Sequence, residues 1–354
     1  MVESLKVGIV GAAGYTGLEL IRLIYGHPRL KLHWVAAQSN AGKTLGQVAP
    51  ALQGVAGIGE LRLENFTPAM SKDLAAKLDV VFCALPHGAS SEAVAALHGA
   101  GLIVVDLSAD FRLHDLSTYK QWYGEHHAEG LLAKAVYGQP ELHRAQLKGA
   151  KLIAAPGCYP TSAILPLAPL LAQRLIEPGG IVVDSKSGVS GSGRTPKAST
   201  HLPEASEGIR PYSVAGVHRH TPEIEQELSA VAGEPIRVTF TPQLAPFTRG
   251  ILTCTYGKAR AGTTLEACRN AALSLYKSGL VTVLEPGLLP DTLWVRGSAR
   301  AQLTYALDER TQMVLGFCAI DNLAKGASAQ AIQALNVALG WEDGLGLPQI
   351  AQFP

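Results

Sequence analysis

Charge is scarce in this 354-residue chain: 17% of residues are charged, and 30 basic side chains against 29 acidic ones leave a net charge of +1. A protein that holds nucleic acid by neutralising phosphates needs a basic excess, so the balance argues against that class. Cysteine is also sparse. The five present (Cys83, Cys158, Cys254, Cys268 and Cys318) are odd in number, scattered, and never spaced C-x-x-C. That pattern excludes a disulfide framework and a structural zinc site, and it predicts reduced thiols in the cytoplasm. Long hydrophobic runs are missing with one exception, since no residue from Leu152 to Gln173 is charged. The stretch is long enough to span a bilayer, but it contains Pro156, Gly157, Pro160, Pro166 and Pro169. A buried strand, a loop and a core helix explain it better, and no membrane span is expected. No basic-then-apolar leader stands ahead of Val7–Val10, so no targeting segment is expected either. Repeats and low-complexity tracts are absent.

What the chain does have is 47% hydrophobic residues, which marks it as globular. It is long enough to bury roughly three quarters of its unfolded surface, and too long for one core, so two domains are expected. Leu5–Val10 reads as a strand, Tyr15–Tyr25 has helical apolar spacing, and Leu30–Ala37 is strand-like again, giving a βαβ unit. Val80–Leu85, a helix over Ser90–Leu97, and Leu102–Leu107 continue the alternation. They predict a mostly parallel sheet with helices on both faces. Beyond about residue 155 longer β-prone segments dominate: Gly180–Lys186, Ile236–Pro242, Ile251–Tyr256, Gln302–Ala306 and Met313–Ile320. Helical patterns cover Ser162–Leu175, Pro222–Val231, 265–278 and Leu323–Leu339. The reading is a Rossmann-like α/β arrangement for residues 1–156 and α+β on a largely antiparallel sheet for 157–321. The segment 322–354 is expected to pack back on the first domain.

Several stretches carry chemistry. Gly8-Ile9-Val10-Gly11-Ala12-Ala13-Gly14-Tyr15-Thr16-Gly17 closes the first strand and opens the first helix. Glycines there let the backbone turn and approach a pyrophosphate, whose charge is favoured at a helix N-terminus. The spacing is G-x-x-G-x-x-G, so the strand-turn-helix context carries the assignment. An NAD-preferring site places an acid after the second strand. Here that point reads Ala36-Ala37-Gln38-Ser39-Asn40-Ala41-Gly42-Lys43, with a hydroxyl and an ammonium and no carboxylate, which predicts NADP(H) with Ser39 and Lys43 at the 2′-phosphate. Cys158, in Pro156-Gly157-Cys158-Tyr159-Pro160-Thr161, follows a buried strand and precedes a helix, a position that favours a thiolate nucleophile. The other four cysteines read as small hydrophobes.

A thiol nucleophile needs a base, and His218 and His220 lie on the same side of an extended segment just ahead of a helix, with Thr221 as the expected N-cap. No Cys, Asp or third His at ligand spacing accompanies them, so no metal is expected. His126 and His127, in a polar loop, read as solvated. Ser187-Gly188-Val189-Ser190-Gly191-Ser192-Gly193-Arg194 offers amides and a guanidinium to an anion. Asp106-Leu107-Ser108-Ala109-Asp110-Phe111-Arg112 follows a parallel strand at the edge where such sheets bind ligands. Arg112 could meet a phosphate or carboxylate there, or pair with Asp110.

Together with Ala84-Leu85-Pro86-His87-Gly88, His218-Arg219-His220-Thr221-Pro222-Glu223-Ile224 and Asp321-Asn322-Leu323-Ala324-Lys325-Gly326, these stretches resemble the N-acetyl-γ-glutamyl-phosphate reductase family, in the family's order over nearly the whole chain. The resemblance implies a dinucleotide-binding domain plus a catalytic and dimerisation domain of the aspartate-semialdehyde-dehydrogenase type. The implied activity is NADPH-dependent reduction of N-acetyl-L-glutamyl 5-phosphate, a small-molecule acyl phosphate, to the semialdehyde in arginine biosynthesis. It implies Cys158 as nucleophile and His218 as first choice for acid/base, although His220 lies on the same side. His220, Arg112, Ser187, Arg194 and Glu223 would contact substrate. Gly11, Gly14, Tyr15, Thr16, Gly17, Ser39, Lys43, Leu85, Pro86, His87, Ser190, Gly191 and Asn322 would contact the cofactor, Asn322 beside the nicotinamide. Extended β segments in the second domain could pair across subunits, and a homo-oligomer, dimer or tetramer, is expected. Competing readings are an acyl-phosphate reductase of the lysine (aminoadipate) or aspartate-semialdehyde pathway and, more distantly, a non-catalytic NADP-binding module with an inert Cys158. The glycine loop disfavours a cofactor-free thiol hydrolase.

Overall fold

The computed structural model describes residues 4–277 and 279–353. Ser278 and Pro354, the last residues of the expected segments 265–278 and 322–354, lie outside the described residues. Two compact units divide the chain, one formed by Met1–Pro156 and Ala327–Leu347, the other by Gly157–Gly326 and Pro348–Pro354.

The first unit is built on strands β1 (Leu5–Val10), β2 (Leu30–Ala36), β3 (Val80–Cys83), β4 (Ile103–Asp106), β5 (Val136–Tyr137) and β6 (Leu152–Ala154). They form one sheet in the order β2-β1-β3-β4-β6-β5, with every neighbouring pair parallel. Val7, Ile9, Val80, Val81 and Phe82 are fully buried, as central strands covered on both faces require. The helix Tyr15–Tyr25 buries Leu20, Ile21, Leu23 and Ile24 at helical spacing.

Register decides where ligands can meet this sheet. Val10 pairs with Ala36 and Cys83, Cys83 with Asp106, and Asp106 with Ala154. The carboxyl ends of five strands therefore lie on one edge, and the segments after residues 10, 36, 83, 106 and 154 all leave from it. A buried polar network braces two of them. Asp106 accepts from the hydroxyls of Ser90 and Ser108 at 2.7 and 2.6 Å, and burial pushes its carboxyl up to about 6. Asp110 accepts from the amides of Gly88, Ser90 and Ser91. His126 belongs to this network, contrary to its expected solvation. It is 5% exposed, bonds the Asp110 carbonyl through Nε2 at 2.7 Å, and packs on Phe111 and Tyr119. Its neighbour His127 is exposed, as expected.

The second unit contributes β7 (Ile181–Gly188), β8 (Arg210–Pro211), β9 (Val238–Ala245), β10 (Ile251–Lys258), β11 (Val281–Val283), β12 (Ala301–Asp308) and β13 (Met313–Ile320) in the order β11-β12-β13-β10-β7-β9-β8. The pairing is mainly antiparallel, with β11–β12 and β7–β9 parallel. One sheet face is closed by the helix Cys158–Ala172, whose residues from Tyr159 to Leu171 are all buried. This helix holds Pro166 and Pro169 in its interior. Pro169 has no amide for the Leu165 carbonyl, and the Tyr276 hydroxyl takes that carbonyl instead, at 2.7 Å. The helix starts four residues earlier than the expected Ser162, because Pro160 in the first turn has no intrahelical amide bond to lose. Cys158 is thus its first residue.

The segment expected to pack back as 322–354 divides differently. Residues 327–347 join the first unit, and the last residues return to the second, where the Pro348 carbonyl accepts from Ala299 N at 2.7 Å and Gln352 N donates to Arg296 O. No helix among the described residues is long and apolar enough to cross a membrane.

Candidate active site

In the first unit three glycines of the β1 loop each answer to a separate constraint. Gly11 has φ +87°, and a Cβ there would sit 2.3 Å from the Ala84 carbonyl oxygen, so the loop after β3 packs directly on it. A Cβ on Gly17 would lie 2.4 Å from the Gly11 carbonyl oxygen, which fixes close helix–strand packing. Gly14 differs: its nearest neighbour would be the Gly11 oxygen at 3.7 Å, so a side chain there would fill open space in front of the helix. Gly14 is also the N-cap, with no side-chain cap on the first-turn amides. Orphan amides behind an open cradle fit a pyrophosphate. Tyr15 is exposed and Thr16 half-buried beside it.

Beyond β2, Ser39 and Lys43 are both exposed on one short turn, held by Asn40 N to Ala37 O and Lys43 N to Asn40 O. Arg62 joins them, its Nη1 donating to the Gly42 carbonyl at 3.0 Å. No motif marks Arg62; it arrives through a bridge between Thr44 and Arg62. Beyond β3, Leu85 is half-buried and Pro86 and His87 are exposed, with His87 Nδ1 accepting from the Ala109 amide at 2.9 Å. Arg112 is not a free anion receptor. It is 4% exposed and donates to the carbonyls of Ala155 at 2.7 Å and Leu107 at 2.8 Å, tying the ends of β4 and β6 together.

In the second unit Cys158 is half-buried at the head of its helix. Glu223, expected to touch substrate, is 1% exposed and accepts from the Gly157 amide at 2.8 Å, so it fixes the backbone just before the cysteine. Tyr159 and Tyr212 escape the motif reading. The Tyr212 hydroxyl donates to that of Tyr159 at 3.1 Å, and Tyr159 donates to the Gln243 carbonyl at 3.1 Å. Burial raises both phenols, which stay protonated at neutral pH.

The His218 ring stands on edge against Tyr159, Tyr212 and Phe240, at centroid distances of 5.5, 5.4 and 5.2 Å, and 4.9 Å from His220. Burial, helped by the Arg219 charge, lowers its pKa to about 4. Its Nδ1 accepts from the His220 amide at 3.1 Å. The neutral ring therefore carries its hydrogen on Nε2, where it can donate but cannot take a proton. Thr221 is the first residue of the helix Thr221–Ala232 and not its cap: His220 holds the N-cap position, and the Thr221 amide donates to the His218 carbonyl.

Ser187 is buried with its hydroxyl on the Gly188 carbonyl. Ser190 and Gly191 lie on the turn after β7, and Asn322 clamps it, donating from Nδ2 to the Ser190 hydroxyl at 2.9 Å and accepting from Gly250 N at 2.7 Å. Arg194 is exposed on the same loop. Among the described residues no cluster of three His, Cys, Asp or Glu could hold a metal ion.

A glycine loop opening on a helix and a cysteine heading a buried helix define the class. Residues 6–150 match the family model "Semialdehyde dehydrogenase, NAD binding domain" and 158–322 match "Semialdehyde dehydrogenase, dimerisation domain". Solved structures show the same fold. Aspartate semialdehyde dehydrogenase II of Vibrio cholerae superposes with a TM-score of 0.71 at 16% identity, covering 95% of this chain and 98% of that one. The Candida albicans aspartate semialdehyde dehydrogenase solved with NADP gives 0.67 at 16% identity over 95% and 98%. Curated relatives narrow the class. N-acetyl-gamma-glutamyl-phosphate reductase of Geobacter sp. (strain M21) is 47% identical over 99% of this chain and 100% of its own. Its counterpart from Pelotomaculum thermopropionicum is 46% identical over 99% and 100%. The chain belongs to the N-acetyl-gamma-glutamyl-phosphate reductase family, and it is an oxidoreductase of the semialdehyde dehydrogenase type.

Proposed function

We propose that the chain reduces N-acetyl-L-glutamyl 5-phosphate to N-acetyl-L-glutamate 5-semialdehyde with NADPH, releasing phosphate, as a cytoplasmic step of arginine biosynthesis. The observation that carries the reading is Cys158 at the head of a buried helix, followed by Tyr159, whose ring stands against both His218 and His220. Gly11, Gly14 and Gly17 with the first turn from Tyr15 and Thr16 hold the pyrophosphate, Ser39, Lys43 and Arg62 the 2′-phosphate, and the Leu85 to His87 turn flanks the loop.

A nicotinamide cofactor, when bound, would supply the hydride that reduces the acyl carbon. The chain's own residues do the rest. Cys158 Sγ, as thiolate, bonds the acyl carbon while the carbon–oxygen bond to phosphate breaks, leaving a thioester on the protein. The helix N-terminus favours the thiolate, which a free thiol near its reference pKa of about 8.5 supplies only to a few per cent at neutral pH. Reduction leaves an oxyanion that is held protonated as a thiohemiacetal; as that proton is given back the carbon–sulfur bond breaks, returning the thiolate and releasing the aldehyde, and the one proton consumed overall goes to the departing phosphate. His220 is the proton carrier in this reading, in place of His218. The His218 ring stays neutral with its acceptor nitrogen engaged, so it orients the His220 backbone and offers Nε2–H as a donor to substrate oxygen. Arg112 and Glu223 act on backbone instead of substrate, which leaves Ser187 and Arg194 on the anion-binding loop.

Assaying NADPH oxidation with N-acetyl-glutamyl, aminoadipyl and aspartyl phosphates tests the reading; a preference of at least tenfold for either of the last two overturns it. The cofactor choice has its own test. Hydrogen bonds to a charged group contribute about 1.5 to 3 kcal/mol each, so a Ser39→Ala, Lys43→Ala double variant loses at least ~100-fold in the ratio of NADPH to NADH dissociation constants. An unchanged ratio moves the phosphate site elsewhere.

The protein assembles as a homo-oligomer, a dimer or tetramer. Beside the "dimerisation domain" match, support comes from the sheet face opposite the helix Cys158–Ala172, where Val182, Leu252, Tyr256, Leu315 and Phe317 are half-exposed in register. Light scattering gives the stoichiometry.

A further inference from the structure

Gly326 stands against the nucleophile. A Cβ built on it would lie 2.8 Å from Cys158 Cβ, closer than such atoms come in folded proteins, and 3.3 Å from both Cys158 Cα and the Asp321 carbonyl oxygen. The requirement is room and not backbone freedom, since the left-handed glycines of the chain do not include this one. What presses Gly326 there is a π-helical turn over Ala324–Ser328, in which Gly326 N donates to the Asp321 carbonyl at 2.8 Å, five residues back. Such turns insert a residue into a helix and recur at functional sites.

The root of the turn is fixed from several sides. The Asp321 carboxylate, fully buried, accepts two bonds from Arg249 at 2.8 and 2.9 Å, one from the Gly297 amide at 2.7 Å, and one each from the amides of Leu323 and Ala324 at 2.9 Å. A charged, two-pronged pair of this kind is rigid. Resting on the reading of Cys158 as nucleophile, we infer that Gly326, held by the π-turn that Arg249 and Asp321 anchor, is a positioning residue that sets where the Cys158 sulfur sits. Any side chain at 326 displaces Cys158 Cβ by some tenths of an ångström or more, and a reacting atom moved by about 1 Å costs on the order of 100-fold in rate.

The test is Gly326→Ala, with peptide-resolved iodoacetamide labelling of Cys158 across pH in the absence of substrate, steady-state kinetics, and circular dichroism to verify folding. The expected result is a fall of ~10- to 100-fold in kcat, a Michaelis constant within a few-fold of wild type, and a shifted pH midpoint for Cys158 labelling. Labelling isolates the sulfur's position from substrate binding. Should Gly326→Ala not fold, Arg249→Lys decides by the same readout: it keeps the charge, loses the second prong, adds no bulk near Cys158, and shifts the labelling profile in a folded protein. A folded variant with wild-type kcat and a wild-type labelling profile overturns the inference. Cys158→Ala separates this outcome from failure of the underlying reading: an active Cys158→Ala enzyme overturns the reading itself, whereas an inactive one beside an unaffected Gly326→Ala overturns only the positioning role.

Discussion

Cys158→Ala lowers turnover below about 10⁻⁴ of the wild-type value, because the thioester cannot form and direct reduction of the acyl phosphate lacks the covalent step. Alanine keeps the Cβ that rests on Gly326 and preserves the helix that begins at residue 158, so the fold is retained. Dinucleotide affinity stays within a few-fold, since the glycine loop belongs to the other unit. A second readout needs no reductant. Mixed with acyl phosphate alone, the wild-type protein releases about one phosphate per subunit in a burst and then stalls, while the variant shows no burst. Turnover near wild type in Cys158→Ala, or a burst of equal size, rules out the covalent route.

The second large effect separates the two histidines. His220→Asn lowers turnover by ~10²- to 10⁴-fold, the usual worth of a general acid/base, with a smaller change in the Michaelis constant. His218→Asn costs far less, because the asparagine oxygen can replace Nδ1 as acceptor for the His220 amide. The pH dependence distinguishes them further. His218 has its folded-state pKa lowered from 6.5 to about 4 by burial. The ring signals of His218 therefore do not titrate between pH 7.5 and 5 in the folded protein. A depressed value means that its contribution to stability is present above pH 6.5 and is lost as pH falls through about 4. Removing it makes unfolding less acid-sensitive in that window. If His218→Asn is instead the crippled enzyme and His220→Asn mainly weakens substrate binding, the proton-carrying role returns to His218.

Much of the architecture is legible before any coordinates. The alternation from Leu5 through Leu107 and the glycines at 11, 14 and 17 specify a parallel sheet with a nucleotide loop, because period and turn chemistry are local properties. The strands Leu5–Val10 and Met313–Ile320 coincide with their patterns, whereas Val80–Cys83 ends short of the expected Leu85, Val238–Ala245 is shifted from the expected Ile236–Pro242, and the short strands Val136–Tyr137, Arg210–Pro211 and Val281–Val283 carry no local pattern. Helix ends are less local. The start of the helix at Cys158 depends on what a proline costs in a first turn, and the π-turn at Ala324–Ser328 on bonds to Asp321.

Residue types and their order by themselves determined that a cysteine follows a strand and comes shortly before a helix, that two histidines precede another helix, and that no carboxylate stands in the turn after the second strand. Only the tertiary structure decided how those groups are held. Arg112 and Glu223 look like anion and substrate contacts in a motif, yet each is buried on backbone 43 and 66 residues away. His126 reads as a loop histidine but is enclosed by Phe111 and Tyr119. His218 and His220 are equivalent by spacing and become distinct when one ring is desolvated and its Nδ1 is engaged by the other's amide. Arg62 and Gly326 matter through neighbours distant in sequence. Burial and hydrogen-bond partners set charge state and reach, and both are properties of packing between remote segments, which no local pattern encodes.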